Sequence, residues 1–305
     1  MPSVRESAQA RVGLLGNPSD MYAGRGLGFA IAELGASVEL APSDSIELPN
    51  EVFEAGWTVG RRLLRERGAD PDSRPFRLTF ESNVPFQSGL SGSSALLIAA
   101  LRAWAIWFET KLEPSPIAQA ALSAEVDELG IRAGPLDRLV QAHGGLLAMD
   151  FADPFAEASV APLSPDLLPP LLIAWHGTPG TSSGDVHAPI FERWQAGDAG
   201  VRSVMEQLAT NADEGRRALE THDNAAFRAC INKNFDLRAS LFDIAPADRA
   251  LIELGRERDA GTKFPGSGGA VLFACKDEAH RDEIDAACIA AGNTTLRPTV
   301  SPPVR

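Results

Sequence analysis

Residues 83–101 read NVPFQSGLSGSSALLIAAL, a glycine- and serine-rich turn that runs directly into an unbroken apolar helix. Gly89 and Gly92 carry no Cβ, so the backbone can approach an anion closely, and Ser88, Ser91, Ser93 and Ser94 add hydroxyls and successive N–H groups. No breaker follows Ala95 until the far end of the helix. The first turn therefore presents unpaired N–H groups and the positive end of the helix dipole to the loop. Phosphate suits that arrangement. The same letters also make an ordinary turn with Ser93 or Ser94 as helix cap. Neither common nucleotide signature is present: no Lys-Ser/Thr pair closes the loop, and the G-x-G-x-x-G spacing is absent.

Outward from the loop, residues 11–16 and 36–40 read as strands, 51–67 as a helix, and 76–81 as a strand of alternating polarity. Behind it come a buried helix from 93 to about 108, a helix from about 116 to 129, a glycine-containing turn at 130–134 and a strand at 146–151. The proline-rich passage 162–170 is the expected boundary, giving a nucleotide-binding domain at 1–169 and a second domain at 170–305. In the second domain a strand at 171–175, amphipathic helices between 188 and 258, a strand at 270–275 and a helix at 277–290 predict an α+β unit. The closing residues 299–305, TVSPPVR, show no pattern and are expected to fray.

A hydrophobic content of 44% in 305 residues supplies an ordinary core, and a formal charge of -13 without any basic stretch argues against nucleic-acid binding. Cys230, Cys275 and Cys288 form no C-x-x-C pair, the pattern of reduced thiols packed in a cytoplasmic protein. The start, MPSVRESAQA, lacks the apolar core of a signal peptide, and Arg102 interrupts the run after Ser94 before it reaches a membrane span. The five histidines show no metal-ligand spacing.

Four further segments carry candidate chemistry. Residues 11–28, RVGLLGNPSDMYAGRGLG, end a strand in a turn presenting Asn17, Ser19, Asp20, Tyr22 and Arg25, either a pocket edge or simply a good turn sequence. In residues 128–145, ELGIRAGPLDRLVQAHGG, Asp137 follows a Gly-Pro turn as a cap, a surface charge or a general base beside a hydroxyl. Glu125, twelve positions earlier, is either solvated or placed to hold Mg²⁺ with a serine hydroxyl. Residues 261–274, GTKFPGSGGAVLFA, form a second glycine-rich loop or a hairpin turn; Gly266, Gly268 and Gly269 would permit close approach to the first loop's ligand, with Lys263 supplying charge.

Three of these stretches, in this order, resemble the motifs of the GHMP kinases, small-molecule kinases that include galactokinase, homoserine kinase and mevalonate kinase. ARVGLLGNPSD is similar to the first motif, PFQSGLSGSSA to the phosphate loop, and KFPGSGGA to the third; the loop departs from the common Gly-Leu-Gly-Ser-Ser. Within the family, GNPSDMYAGR, GLSGSSA, AGPLDRLVQAHGGLLAMDF, SSGDVHAPIFERW and KFPGSGGAV look closest to plant-type glucuronokinase. The resemblance implies an α+β fold of two domains, ribosomal S5 domain 2-like and ferredoxin-like. It implies ATP- and Mg²⁺-dependent phosphorylation of a sugar hydroxyl, with glucuronate at C1 as the first substrate. Mevalonate, homoserine, galactose or a heptose phosphate is the alternative acceptor, and a nonenzymatic nucleotide or sugar sensor the alternative class.

Carried over by position, Asp137 matches the family's catalytic base and Arg11 the cation that pairs with it. Pro85, Phe86, Gln87, Ser88, Gly89, Leu90, Ser91, Gly92, Ser93, Ser94 and Ala95 match the ATP loop, and Ser93 and Glu125 the Mg²⁺ ligands. Asp20 matches a residue that holds sugar hydroxyls, with Asn17, Tyr22, Arg25, Lys263, Gly266, Gly268 and Gly269 expected around the acceptor. A carboxylate on that acceptor would need Arg25, Arg132 or Arg138.

Overall fold

The computed structural model describes residues 2–177 and 183–304. Strands β1 (Val4–Leu15) and β2 (Arg25–Pro42) form a long antiparallel ribbon that organises everything else. The first half of β1 is polar and partly exposed, whereas its residues 10–15 are buried throughout. Helices cover that inner half on both faces, which is why, Arg11 apart, the sequence there is apolar at successive positions rather than alternating.

Helix α1 (Glu51–Glu66) and strand β3 (Phe76–Ser82) follow, β3 pairing with the outer half of β2. The glycine-serine turn then opens helix α2 (Gly92–Trp107), whose apolar side chains face protein on almost every side. A helix apolar all round belongs in a core. Gly56 and Gly60 of α1 let the Trp104 ring of α2 lie against the α1 backbone. Helix α3 (Pro114–Ser123) runs into a π-helical turn at Ala124–Glu128, and helix α4 (Leu136–His143) precedes strands β4 (Leu146–Asp150) and β5 (Val160–Leu163). The first sheet is antiparallel, ordered β1-β2-β4-β5 with β3 beside β2.

Strand β6 (Leu171–Trp175) begins the second sheet. Helices α5 (Ser183–Gln195), α6 (Ala199–Glu220), α7 (Asn224–Ala239) and α8 (Pro246–Arg256) lead to β7 (Gly261–Lys263), β8 (Ala270–Ala274), α9 (Glu278–Ala290) and β9 (Thr294–Leu296). Its order is β7-β8-β6-β9, again antiparallel. Leu15 of β1 seats against Gly215 of α6, where a Cβ would lie 2.0 Å from Leu15 Cδ1. The α+β reading therefore holds in both parts of the chain.

Four expectations change. Strand β2 begins at Arg25, eleven residues before the predicted start, because its early positions alternate with Gly26 and Gly28 and lack a strand-like signal. Those glycines have a packing purpose: Cβ atoms there would press to 3.0 Å on Leu136 and Val140 of α4. The helix α4 itself was not anticipated, and residues 261–274 form a β-hairpin as well as a glycine loop. Nor does the chain end fray. Beyond Phe29, β2 parts from β4, and the tail satisfies the freed backbone: Ala32 N–H donates to Thr299 O, Ser301 N–H to Ala30 O, and Gly145 N–H to Ser301 O.

Among the described residues, no helix is long and apolar enough to cross a membrane.

Candidate active site

The register of the β1–β2 ribbon shifts between Gln9 and Arg11, a place where a bulge re-aims side chains. Arg11 lies buried there, and its backbone N–H donates to Leu90 O at 3.3 Å, joining the glycine-serine loop to the sheet. Its guanidinium grips Asp137 in the first turn of α4 with two bonds, Nε to Oδ1 at 2.5 Å and Nη2 to Oδ2 at 2.6 Å. The remaining nitrogen, Nη1, donates to Gly89 O at 2.7 Å. Gln141, one turn further along α4, donates to Gln9 O at 3.0 Å and Ser91 O at 2.9 Å. Sheet, loop and helix are thus fixed to one another around the Asp137 carboxylate.

Burial alone would raise the Asp137 pKa, but the Arg11 and Arg138 guanidiniums, with bonds from Arg11 and the Ser91 hydroxyl, hold it down at about 2. Ionised carboxylate is the resting form. Two oxygens offer about four acceptor sites, and Arg11 and Ser91 occupy three of them. Room remains for one further donor.

The loop takes a left-handed backbone at every second residue, with φ of 51° at Gln87, 71° at Gly89 and 61° at Ser91. Alternating handedness of this kind turns neighbouring N–H groups toward a common concavity. It abuts the second glycine loop: a Cβ on Gly266 would lie 2.0 Å from Gly89 O, and one on Gly269 2.6 Å from Gln87 O. Inside the loop, the Ser88 hydroxyl donates to Pro85 O, and Leu90 points into the core, so neither side chain faces outward.

At the helix side of the loop, the π-helical turn brings Glu125 to Ser93 and Ser94. Ser93 Oγ donates to Oε1 at 3.3 Å and Ser94 Oγ to the same oxygen at 3.0 Å. Oε2 accepts from Arg138 Nε at 2.5 Å. Glu125 is 2% exposed and Arg138 5%, so the two charges compensate each other out of water. Among the described residues, no three or more His, Cys, Asp or Glu side chains gather as a metal site.

Beside Asp137 opens a partly enclosed cleft. Of the expected residues, Arg11, Asn17, Asp20, Asp137, Arg138 and Gly266 line it. Burial and the neighbouring Asp137 raise the Asp20 pKa from its ordinary 3.8 to about 6. Between those two values the native state binds more protons than the unfolded chain, so stability falls as pH rises through that window. Asp20→Asn, which still accepts the Leu136 N–H, is expected to stabilise the protein by on the order of 2 kcal/mol at pH 7.5 and by nothing near pH 3.5. Urea unfolding at both pH values checks this.

Other expected acceptor residues are placed elsewhere. Lys263 is 1% exposed, and its ammonium donates to Gly13 O at 2.7 Å, Asn17 Oδ1 at 2.8 Å and Phe264 O at 2.5 Å. All three N–H groups are used within the protein, joining the hairpin to β1, so none is left to donate to a ligand. The Tyr22 ring packs 4.7 Å from Trp194 in the apolar cluster that backs the cleft, and Tyr22 itself does not line it. Arg25 pairs with Asp213 at 2.7 Å and lines a separate depression with Asp150 and Arg216. Gly268 and Gly269 serve the contact between the two loops rather than the cleft. Arg132 is exposed, with its guanidinium 4.6 Å from the Phe191 ring centre. Part of the SSGDVHAPIFERW stretch, up to Ser182, lies outside the described residues.

The cleft also takes His187 from α5, Arg238 from α7 and Ser267 from the hairpin loop. Arg238 lies outside the quoted motifs, and His187 and Ser267, though inside SSGDVHAPIFERW and KFPGSGGA, carry no spacing signal there.

Two sheets flanked by helices, with a bidentate Arg–Asp pair beside a helix-capping glycine loop, are the frame of a small-molecule kinase. The profile of the GHMP kinases N terminal domain matches residues 53–145 and that of the GHMP kinases C terminal matches residues 216–294. The chain belongs to the GHMP kinase family and has its two-domain α+β fold; it is a phosphotransferase acting on a small-molecule hydroxyl. It is 34% identical to glucuronokinase 1 of Arabidopsis thaliana over 90% of this chain and 86% of that protein. To the probable glucuronokinase 2 of the same plant it is 35% identical, over 88% and 83%. Its fold superposes on that of Lactococcus lactis galactokinase complexed with galactose with a TM-score of 0.82, at 13% identity, covering 98% of this chain and 93% of that one.

Proposed function

We propose that the protein transfers the γ-phosphoryl group of ATP to a hydroxyl of an anionic sugar, with glucuronate and its C1 hydroxyl as the first candidate. The observation that carries this is the charge of the cleft. Of the three lining arginines, Arg11 is paired with Asp137 and Arg138 with Glu125, which leaves the charge of Arg238 without a salt-bridge partner among the described residues. A neutral sugar gains nothing from that charge. An acid does, and the similarity to glucuronokinases over most of the chain supports this choice of acid.

In this reading residues 85–95 receive the ATP phosphates through loop and helix N–H groups. Asp137 accepts the proton of the attacking hydroxyl, and Arg11 holds the carboxylate in place while countering charge on the transferred group. Ser93 and Glu125 Oε1 are a hard-oxygen pair that suits Mg²⁺, the rest of whose shell would come from phosphate oxygens and water. Bound there, Mg²⁺ supplies positive charge to the β- and γ-phosphates. Residues 1–169 and 170–305 are proposed as the two domains, with the cleft between them.

The same cationic cleft suits mevalonate or a heptose phosphate, so the test is an acceptor panel. ADP release, followed by a coupled assay, is expected to be fastest with glucuronate and far slower with glucose or galactose. Fastest turnover of a neutral sugar would remove the acid reading.

A further inference from the structure

Arg238 differs from the other two arginines of the cleft. Arg11 is neutralised by Asp137 and Arg138 by Glu125, whereas Arg238 has no salt-bridge partner among the described residues. It is 3% exposed and bonds only neutral carbonyls, Nη1 to Gly266 O at 3.0 Å and Nη2 to Ser267 O at 2.8 Å. The Phe242 and Phe264 rings lie against the guanidinium at 4.9 and 5.5 Å. Its Nε is buried with no partner. Burial, opposed by Asp248 and reinforced by Arg11, brings the pKa down to about 10, which leaves the side chain charged at neutral pH.

His187 adjoins it across Phe242, packed edge-on with ring centres 5.7 Å apart. The side chain is 8% exposed and its Nδ1 is also buried without a partner. Burial, with Arg238 nearby, pushes the imidazole pKa down to about 3, so the ring is neutral and can donate or accept a hydrogen bond.

A buried cation without a direct ion-pair partner is costly until an anion reaches it. Of the five guanidinium N–H groups two are spent, and the rest can form a fork for a carboxylate. None of residues 85–95 lines this cleft, so the corner faces the acceptor side of Asp137 rather than the loop proposed for the nucleotide phosphates.

We infer that Arg238 and His187 form the corner that selects the acceptor: Arg238 receives the carboxylate of a sugar acid, and His187 bonds a neighbouring hydroxyl. The assignment rests on the proposed reading of the cleft as the acceptor site. It makes these two residues, rather than Arg25, Arg132 or Arg138, the determinants of acid specificity.

Titration calorimetry of the intact protein with glucuronate, and separately with ADP and Mg²⁺, tests this beside the kinetics. Arg238→Gln is expected to weaken glucuronate binding and raise its KM by about 10- to 100-fold. ADP binding should stay within about two-fold, and any loss with glucose should be clearly smaller than the loss with glucuronate. His187→Gln should weaken glucuronate by a smaller factor, about 3- to 10-fold. If the Gln variant at 238 loses its thermal transition, Arg238→Lys keeps the charge without the fork and should still weaken glucuronate selectively. Equal losses for glucuronate, glucose and ADP would assign Arg238 to the phosphates or to the fold and overturn the inference. Unchanged glucuronate binding in Arg238→Gln would overturn it while leaving the kinase proposal intact. A wild-type protein that phosphorylates glucose but no acid would instead remove the acid reading itself.

Discussion

Asp137→Asn is expected to lower kcat by about 10³-fold while leaving ATP binding nearly unchanged. The amide has the shape of the carboxylate but cannot take a proton from the attacking hydroxyl. Its NH₂ also turns a donor toward groups that donate already: Arg11 approaches both carboxylate oxygens, and the Ser91 hydroxyl donates to Oδ2. Some loss of stability accompanies the change, so thermal unfolding is measured alongside turnover, and nucleotide affinity by calorimetry. Because the Asp137 pKa is held at about 2, the wild-type carboxylate is ionised throughout the neutral range. The kcat profile should therefore show no limb from this group between pH 5 and 8. Loss of activity through loss of base is distinguished from loss of fold by an intact unfolding transition and intact ADP binding.

Glu125→Ala is expected to destabilise the protein by about 3–5 kcal/mol, the usual consequence of leaving a buried charge without its partner. Arg138, 5% exposed, would keep only the Gly134 carbonyl at 2.9 Å and the edge of Asp137 at 3.7 Å. Its freed charge would also disturb Asp137. The double variant Glu125→Ala with Arg138→Met removes both charges and should regain most of the lost stability. Activity should stay low in the double variant, since Ser93 would have no carboxylate beside it to hold Mg²⁺. Recovery of full activity together with stability would show that Glu125 serves only to neutralise Arg138.

What could be read from the sequence divides along physical lines. Helix α2 was legible because its apolar run is long and its glycine-serine lead-in is distinctive, and both survive without tertiary context. The first half of β2 was not, because Gly26 and Gly28 are there to let α4 sit close, a demand made by residues more than a hundred positions away. The same distance hides the fate of Lys263. As a letter in a glycine loop it reads as a ligand's counter-charge; in the fold its acceptors come from Gly13, Asn17 and Phe264. Asp137 beside Arg11 followed from resemblance rather than from spacing, and the geometry supplies the reason: a bulge before Arg11 and a helix seated on two strand glycines bring them within 2.5 Å. Arg238 lies in no motif, and His187, inside the SSGDVHAPIFERW stretch, carries no spacing signal there. Their common feature, buried polar atoms without partners around one cleft, exists only in three dimensions.

The proposed chemistry is tested most directly by ³¹P NMR of a reaction containing the protein, ATP, Mg²⁺ and glucuronate. The account predicts a new sugar-phosphate resonance coupled to the anomeric proton, growing with ADP and absent with Asp137→Asn. ADP without a phosphorylated sugar acid, or phosphate on any oxygen other than that at C1, would contradict it.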